Sequence, residues 1–173
     1  DLMICNVEEP MCIAGVYGGL HSGVQQKTTS IFLECACFDK HSIRKTSLHH
    51  GLRTDAAIRF EKGTDVSNIP YALQRAAQLI CELSGARIIS KLIDVYPQPI
   101  APTSITLYFD KVRKVSGKNY INAQIKNILT HLCFSVLEEA NDFLVLQVPF
   151  AKSDISMQED VIEEIMRIDG LDN

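Results

Sequence analysis

Hydrophobic and polar positions follow two different rhythms along the 173-residue chain. Ile13 to Tyr17 and Ile31 to Phe38 are apolar runs of strand length, and Gly18, Gly19 and Gly23 between them permit a sharply bent backbone. The expected order there is strand, glycine turn, strand. His41 to His50 predicts a helix that ends before Gly51. Ile69, Leu73, Ala76, Leu79, Ile80 and Leu83 form a helical stripe over residues 67 to 83, with Gly85 placed to close it. Arg87 to Tyr96 then returns as a strand. Between the two helices, Gly51 to Gly63 alternates charges and small residues with neither period, and predicts a loop.

The pattern breaks at Tyr96-Pro97-Gln98-Pro99-Ile100-Ala101-Pro102, where prolines withdraw amide donors and favour extended backbone. Residues 1–98 are therefore taken as one domain and 99–173 as a second. Beyond the break, Ser104 to Tyr108 predicts a strand and Asp110 to Val115 a short helix. Asn122 is placed to cap a helix that buries Ile125, Ile128, Leu129 and Leu132. Ser135 to Leu137 and Phe143 to Val148 pair as a hairpin around Asn141-Asp142, and a last helix runs from Met157 to about Ile168. The class is α+β: a mixed-sheet domain with helices, followed by a small winged-helix-like α/β domain.

Composition narrows the function classes. A hydrophobic content of 46% suffices for a core, yet no apolar run approaches the roughly 20 residues of a membrane-spanning helix. A net charge of −4 argues against a protein that holds nucleic acid by overall charge. Cysteines 5, 12, 35, 37, 81 and 133 contain no CxxC pair, so neither a structural zinc site nor a disulfide framework is indicated, and reduced thiols in the cytoplasm are expected. The glycines of 15 to 23 lack the Lys-Ser/Thr ending of a phosphate loop. Asp1-Leu2-Met3 resembles neither an initiator nor a signal peptide, and reads as the interior of a longer chain.

Three places carry candidate chemistry. Glu34 is the only charge in its strand-like run, where alternation sets Leu33, Cys35 and Cys37 on one face and Glu34 with Phe32, Ala36 and Phe38 on the other. Such a carboxylate must pair, move to a solvated pocket or accept a hydrogen bond from something bound there, unless it is simply exposed at a sheet edge. The charged run from Gly51 to Gly63 either lines a site or is a surface loop whose Arg53, Asp55, Arg59 and Glu61 form weak exposed ion pairs. Finally, Asp160, Glu163 and Glu164 stand at i, i+3 and i+4 on the last helix with Asp154 upstream. They suit a magnesium ion held by carboxylate oxygens, or merely acids favoured by a helix N-terminus.

Gly15-Val16-Tyr17-Gly18-Gly19, Ser22-Gly23-Val24, Leu33-Glu34-Cys35-Ala36, Ser42-Ile43-Arg44 and the Gly51 to Gly63 run, in that order, resemble the editing module of the bacterial-type phenylalanyl-tRNA synthetase beta subunit. The resemblance continues through Pro149, Asp154-Ile155, Asp160, Ile162-Glu163-Glu164, Arg167-Ile168 and Gly170 into the domain that follows that module. It implies hydrolysis of tyrosine mischarged onto phenylalanine tRNA. Glu34 would read the tyrosine hydroxyl, Gly18 and Ala56 would line the amino-acid pocket, and Thr54 would orient the ester or an attacking water. No Ser-His-Asp or Cys-His arrangement suggests a covalent nucleophile, and His49-His50 reads as a helix end. The same resemblance implies that Asp154, Asp160, Glu163 and Glu164 form a magnesium site shared with an alpha subunit, weak or empty in this chain alone. The whole enzyme would be an ATP-dependent cytoplasmic ligase of two alpha and two beta subunits, with its ligase site outside this chain.

The sequence departs from the family pattern at Ala57, Lys62 and Phe150-Ala151-Lys152, and the family draws a histidine and other pocket residues from sequence preceding Asp1. Two other readings stand beside the enzyme one. The second domain could bind nucleic acid through Lys111, Arg113, Lys114, Lys118 and Lys126, or the chain could serve subunit assembly without activity of its own.

Overall fold

The computed structural model describes residues 1–170, and the chain divides at the proline-rich stretch into two units, Asp1–Tyr96 and the residues from Pro97 onward. In the first unit β1 (Met3–Cys5) and β2 (Pro10–Ile13) form an antiparallel hairpin with Ile4 opposite Cys12. The Asn6 side chain closes its turn by accepting from the amides of Glu8 and Glu9 at 2.8 and 2.7 Å, the usual use of an Asx side chain. Directly after β2 the chain reverses. Val16 and Tyr17 both donate to the carbonyl of Ile13, and Gly15 takes φ of +66°.

Asp39 caps α1 (Lys40–His49) by accepting from the Ser42 amide at 2.8 Å, and Ile43, Thr46 and Ser47 are buried beneath it. A second short helix, α2 (Asp55–Phe60), follows. One 3₁₀ turn at Val66–Asn68 leads into α3 (Ile69–Ser84), which ends at Gly85 with φ of +69°. The core of this unit is small: Val16, Ile43 and Ala57, with Ile13, Phe38, Leu52 and Phe60 packed against them.

Several expectations for this unit need correction. The strand expected at Ile13 to Tyr17 is the end of β2 followed by a turn, joined only by an isolated bridge between Ile13 and Tyr17. Ile31 to Phe38 and Arg87 to Tyr96 are not strands. Their composition suits a sheet, but among the described residues no neighbouring strand supplies the ladder that would satisfy their backbone groups. The stretch expected to be a loop, Gly51 to Gly63, holds α2. The stripe on α3 exists, but no residue of that helix is buried.

In the second unit β3 (Ser104–Tyr108), β4 (Ser135–Glu139) and β5 (Phe143–Gln147) form an antiparallel sheet in the order β3-β5-β4. Leu107 faces Leu144 and Ile105 faces Leu146 across the register, so alternation delivers these four side chains to one buried face. The helices α4 (Phe109–Ser116), α5 (Asn122–His131) and α6 (Gln158–Asp169) cover that face. Phe109, Val112, Ile125, Leu129, Ile162 and Ile165 complete a continuous core. The β4-β5 hairpin after the helices gives the wing-like element. One correction applies: Ile121, not Asn122, is the N-cap of α5. The Gln124 side chain accepts from the Ile121 amide at 3.1 Å, while Asn122 accepts from Arg113 at 2.5 Å.

Candidate functional site

The reversal after β2, the 31–38 segment and α2 enclose an open cavity of about 880 Å³ in the first unit, a size suited to a small organic ligand. Its walls are mostly apolar or small, with Ile13, Val16, Phe38 and Phe60 among them, and it also receives Glu34, Arg59, Lys62 and Asp65. Phe38 and Phe60 meet edge to face at 5.0 Å between ring centroids, a favoured aromatic geometry that fixes one wall.

Three of the residues singled out from sequence meet there: Gly18, Glu34 and Ala56 all line the cavity. Because 31–38 is not a regular strand, Glu34, Cys35 and Ala36 line it consecutively rather than by alternation. Glu34 is exposed, and among the described residues no hydrogen bond or ion pair occupies its carboxylate. Gly18 has open space where a Cβ would stand, with nothing within 4 Å. Its missing side chain is therefore cavity volume rather than a requirement of packing.

Thr54 stands behind the wall instead of on it. Its Oγ1 donates to the Val16 carbonyl at 2.6 Å and accepts from the Ala57 amide at 3.1 Å. The hydroxyl thus caps α2 and ties that helix to the turn after β2, which sets Ala56 at the cavity. This cap is also the signal that sequence reading missed. Thr54 followed by Asp55 in the first turn marks a helix start, and the helix in turn puts Arg59 one turn beyond Ala56. His49 closes α1, and His50 Nε2 lies 2.8 Å from the Asp1 carboxylate. Among the described residues no histidine lines the cavity.

The four acids of the second unit are engaged differently. Asp160 accepts from the amides of Ser156 and Met157 at 2.8 and 3.0 Å, and these bonds hold its carboxyl below the usual range. Glu164 is held low by Arg167, which donates at 2.9 Å from both Nε and Nη2, and further by Lys152, which also donates to it. Arg167 is raised in turn, first by Glu164 and to a smaller extent by Glu163 and Asp154. The positive charge among these carboxylates is thus supplied by the chain's own Arg167 and Lys152. Among the described residues no three His, Cys, Asp or Glu side chains form a group able to hold a metal ion. Both oxygens of Glu164 accept from Arg167, so magnesium would have to displace that pair to use Glu164, whereas the cap bonds to Asp160 all go to Oδ2.

The basic group of the second unit is largely neutralised. Lys111 pairs with Glu159, Arg113 with Asp110, Lys118 with Asp169 and Lys126 with Glu139, at 2.7 to 3.1 Å. No helix among the described residues is long and apolar enough to cross a membrane.

Comparison with known proteins places these units in a family. Residues 1–85 match the B3/4 domain and residues 105–171 the tRNA synthetase B5 domain. The phenylalanine–tRNA ligase beta subunit of Porphyromonas gingivalis is 45% identical over 171 residues, 98% of this chain and 21% of the relative. That of Bacteroides fragilis is 44% identical over the full 173 residues, again 21% of its length. That of Bacillus licheniformis is 38% identical over 172 residues, 99% of this chain and 21% of the relative. The chain spans about a fifth of the length of these curated relatives. Two domain matches in the order of the two structural units, together with identity sustained across both, show that this chain belongs to the phenylalanine–tRNA ligase beta-subunit family and carries its B3/4 and B5 domains.

Proposed function

We propose that the first unit is the post-transfer editing site of a phenylalanine–tRNA ligase and hydrolyses tyrosine mischarged onto phenylalanine tRNA. The observation that carries this reading is Glu34, an unpaired carboxylate among the described residues on the wall of a largely apolar cavity. A tyrosine ring entering the cavity can donate its hydroxyl proton to Glu34. A phenylalanine ring would displace water from the carboxylate and return nothing, and that loss is the basis of discrimination.

The small residues Gly18 and Ala56 leave room for the ring. Among the described residues Cys12 and Cys35 line the cavity and no histidine does, so they assemble no Cys-His pair there. Direct attack by an oriented water is the step assigned. The water oxygen bonds to the ester carbon, the ester C–O bond breaks, and tyrosine leaves as the ribose hydroxyl regains its proton. Thr54 acts through α2, holding Ala56 in place.

In this reading the chain works within a cytoplasmic assembly of two alpha and two beta subunits that charges phenylalanine tRNA at a ligase site elsewhere. Magnesium shared with the alpha subunit would require Glu164 to leave Arg167 on assembly.

The test is release of tyrosine from Tyr-charged phenylalanine tRNA by the enzyme containing this chain, with Phe-charged tRNA as control. Glu34→Ala is expected to erode the preference for Tyr by roughly 10- to 100-fold, the value of a hydrogen bond to a charged group. Unchanged rates on both substrates would make Glu34 structural and sink the reading.

A further inference from the structure

Arg59 lines the same cavity as Glu34 and stands three residues after Ala56 on α2, on the same side of that helix. It is exposed. The neighbouring Arg53 is paired with Glu61 at 3.1 Å, whereas among the described residues no carboxylate pairs with Arg59, Asp55 one turn earlier included. The fold of α2 does not need this side chain. Its anchors are the buried Ala57 and the half-buried Phe60, both in the unit's core, and the Thr54 cap. An unpaired guanidinium held at an apolar cavity is therefore available to a ligand.

The ligand that fits must satisfy both charges on the cavity wall, the Glu34 carboxylate and the Arg59 guanidinium. An aromatic ring would occupy the apolar interior with its hydroxyl at Glu34. Where that amino acid is esterified to the end of an RNA, the nearest anion is the phosphodiester joining the last two nucleotides. We infer that Arg59 binds this terminal phosphodiester, so that the site recognises the RNA-linked ester and not the amino acid alone. The inference rests on the editing reading above. A guanidinium presents parallel N–H donors that match two phosphate oxygens, and its charge is never lost by deprotonation. Glu34 and Asp65 also line the cavity and would repel an anion placed against them, so the phosphate belongs at the Arg59 guanidinium.

The experiment compares the parent enzyme containing this chain with Arg59→Ala and Arg59→Lys. Two substrates are used: Tyr-charged tRNA, and the tyrosine ester of adenosine, which has the ribose but no phosphate. Affinity for uncharged acceptor-stem RNA is measured alongside. Arg59→Ala is expected to raise KM for Tyr-charged tRNA roughly tenfold, the scale of one charge-assisted hydrogen bond, with kcat and hydrolysis of the adenosine ester within about twofold of the parent. RNA affinity should fall and its log–log salt dependence become shallower by about 0.7, the counterion contribution of one single-strand phosphate. Arg59→Lys should recover part of the KM. Equal losses on both esters, or an unchanged KM and salt slope, would overturn the phosphate contact. If the parent hydrolyses neither ester while Arg59→Ala still weakens RNA binding and flattens its salt dependence, the editing reading fails and the phosphate contact stands.

Discussion

Two glycines three positions apart serve opposite purposes. Gly15 has φ of +66°, and a Cβ there would lie 2.7 Å from Phe38 Cδ2 and 2.9 Å from Ile43 Cδ1, so the residue is required by backbone and packing together. Gly18 has neither constraint, since its φ is not left-handed and nothing lies within 4 Å of the added atom. Gly15→Ala is therefore expected to destabilise the first unit by about 1–3 kcal/mol through strain and overpacking. Gly18→Ala should leave stability within about 0.5 kcal/mol, as for a surface change, yet slow ester hydrolysis by filling the cavity. Denaturant unfolding and Tyr-tRNA hydrolysis measured on both variants would separate these effects. A Gly18→Ala protein that unfolds easily, or that edits at the parent rate, would contradict the assignment of Gly18 to the pocket. Thr54 belongs to the same scale, because its hydroxyl, bonded to Val16 and Ala57, shapes the wall without standing on it.

At the scale of elements, the second unit was legible and the first only partly so. The β3 and β4-β5 patterns in the sequence complete each other's hydrogen bonds within 50 residues, so local alternation and final structure agree. Ile31 to Phe38 and Arg87 to Tyr96 carry equally good strand composition, but a strand is defined by its neighbour, and none is supplied among the described residues. Helix α2 was missed because six residues are too few to show a stripe, and only its cap announces it. The three residues expected to line a pocket do so because the close turn at Gly15 and the capped α2 bring distant segments together, a geometry no periodicity encodes. Helix α6 shows the converse: its acids were plain in sequence, while their pairing with Arg167 and Lys152 emerged only from the fold. The pairing of Glu164, together with the amide bonds to Asp160, sets a pH response. Glu164 and Asp160 have folded-state pKa values below their ordinary 4.5 and 3.8, so their stabilisation is present above those values and is lost as pH falls through the lowered ones. Tyr120 is pushed up to about 12 by burial and by Asp169; its contribution is present below the ordinary 10 and is lost as pH rises toward 12. Thermal melts of the second unit should thus show an acid limb starting below about pH 4.5 and an alkaline limb above about pH 10. Glu164→Gln should shrink the first limb and Tyr120→Phe the second; an unaltered acid limb in Glu164→Gln would assign acid loss to other carboxylates.

At the scale of the whole molecule, the two units differ in how much apolar surface each withdraws from water. Among the described residues the second has a cluster of fifteen buried residues, the first a cluster of three. In the first, Phe32, Leu83 and Ile89 are 85% exposed or more. Hydrophobic burial is the main favourable contribution to folding, so the cavity-bearing unit is the less stable one, as ligand-binding regions commonly are. Hydrogen exchange should show protected amides in β3, β5, α5 and α6, and much weaker protection throughout the first unit, with residues 31–38 and 87–96 fastest. Leu144→Ala, which removes a fully buried side chain, should cost about 2–5 kcal/mol and accelerate exchange across the second unit's core. Gly15→Ala should leave that core unchanged. A ligand that occupies the cavity binds only the folded first unit, and so stabilises it by mass action. A non-hydrolysable tyrosyl-adenosine analogue at about 100 times its Kd should add about 2.7 kcal/mol there, slowing exchange around Val16, Ile43 and Ala57 while the amides of β5 are unaffected. Slowing in the second unit alone would move the binding site to the B5 domain and with it the chemistry assigned to the cavity.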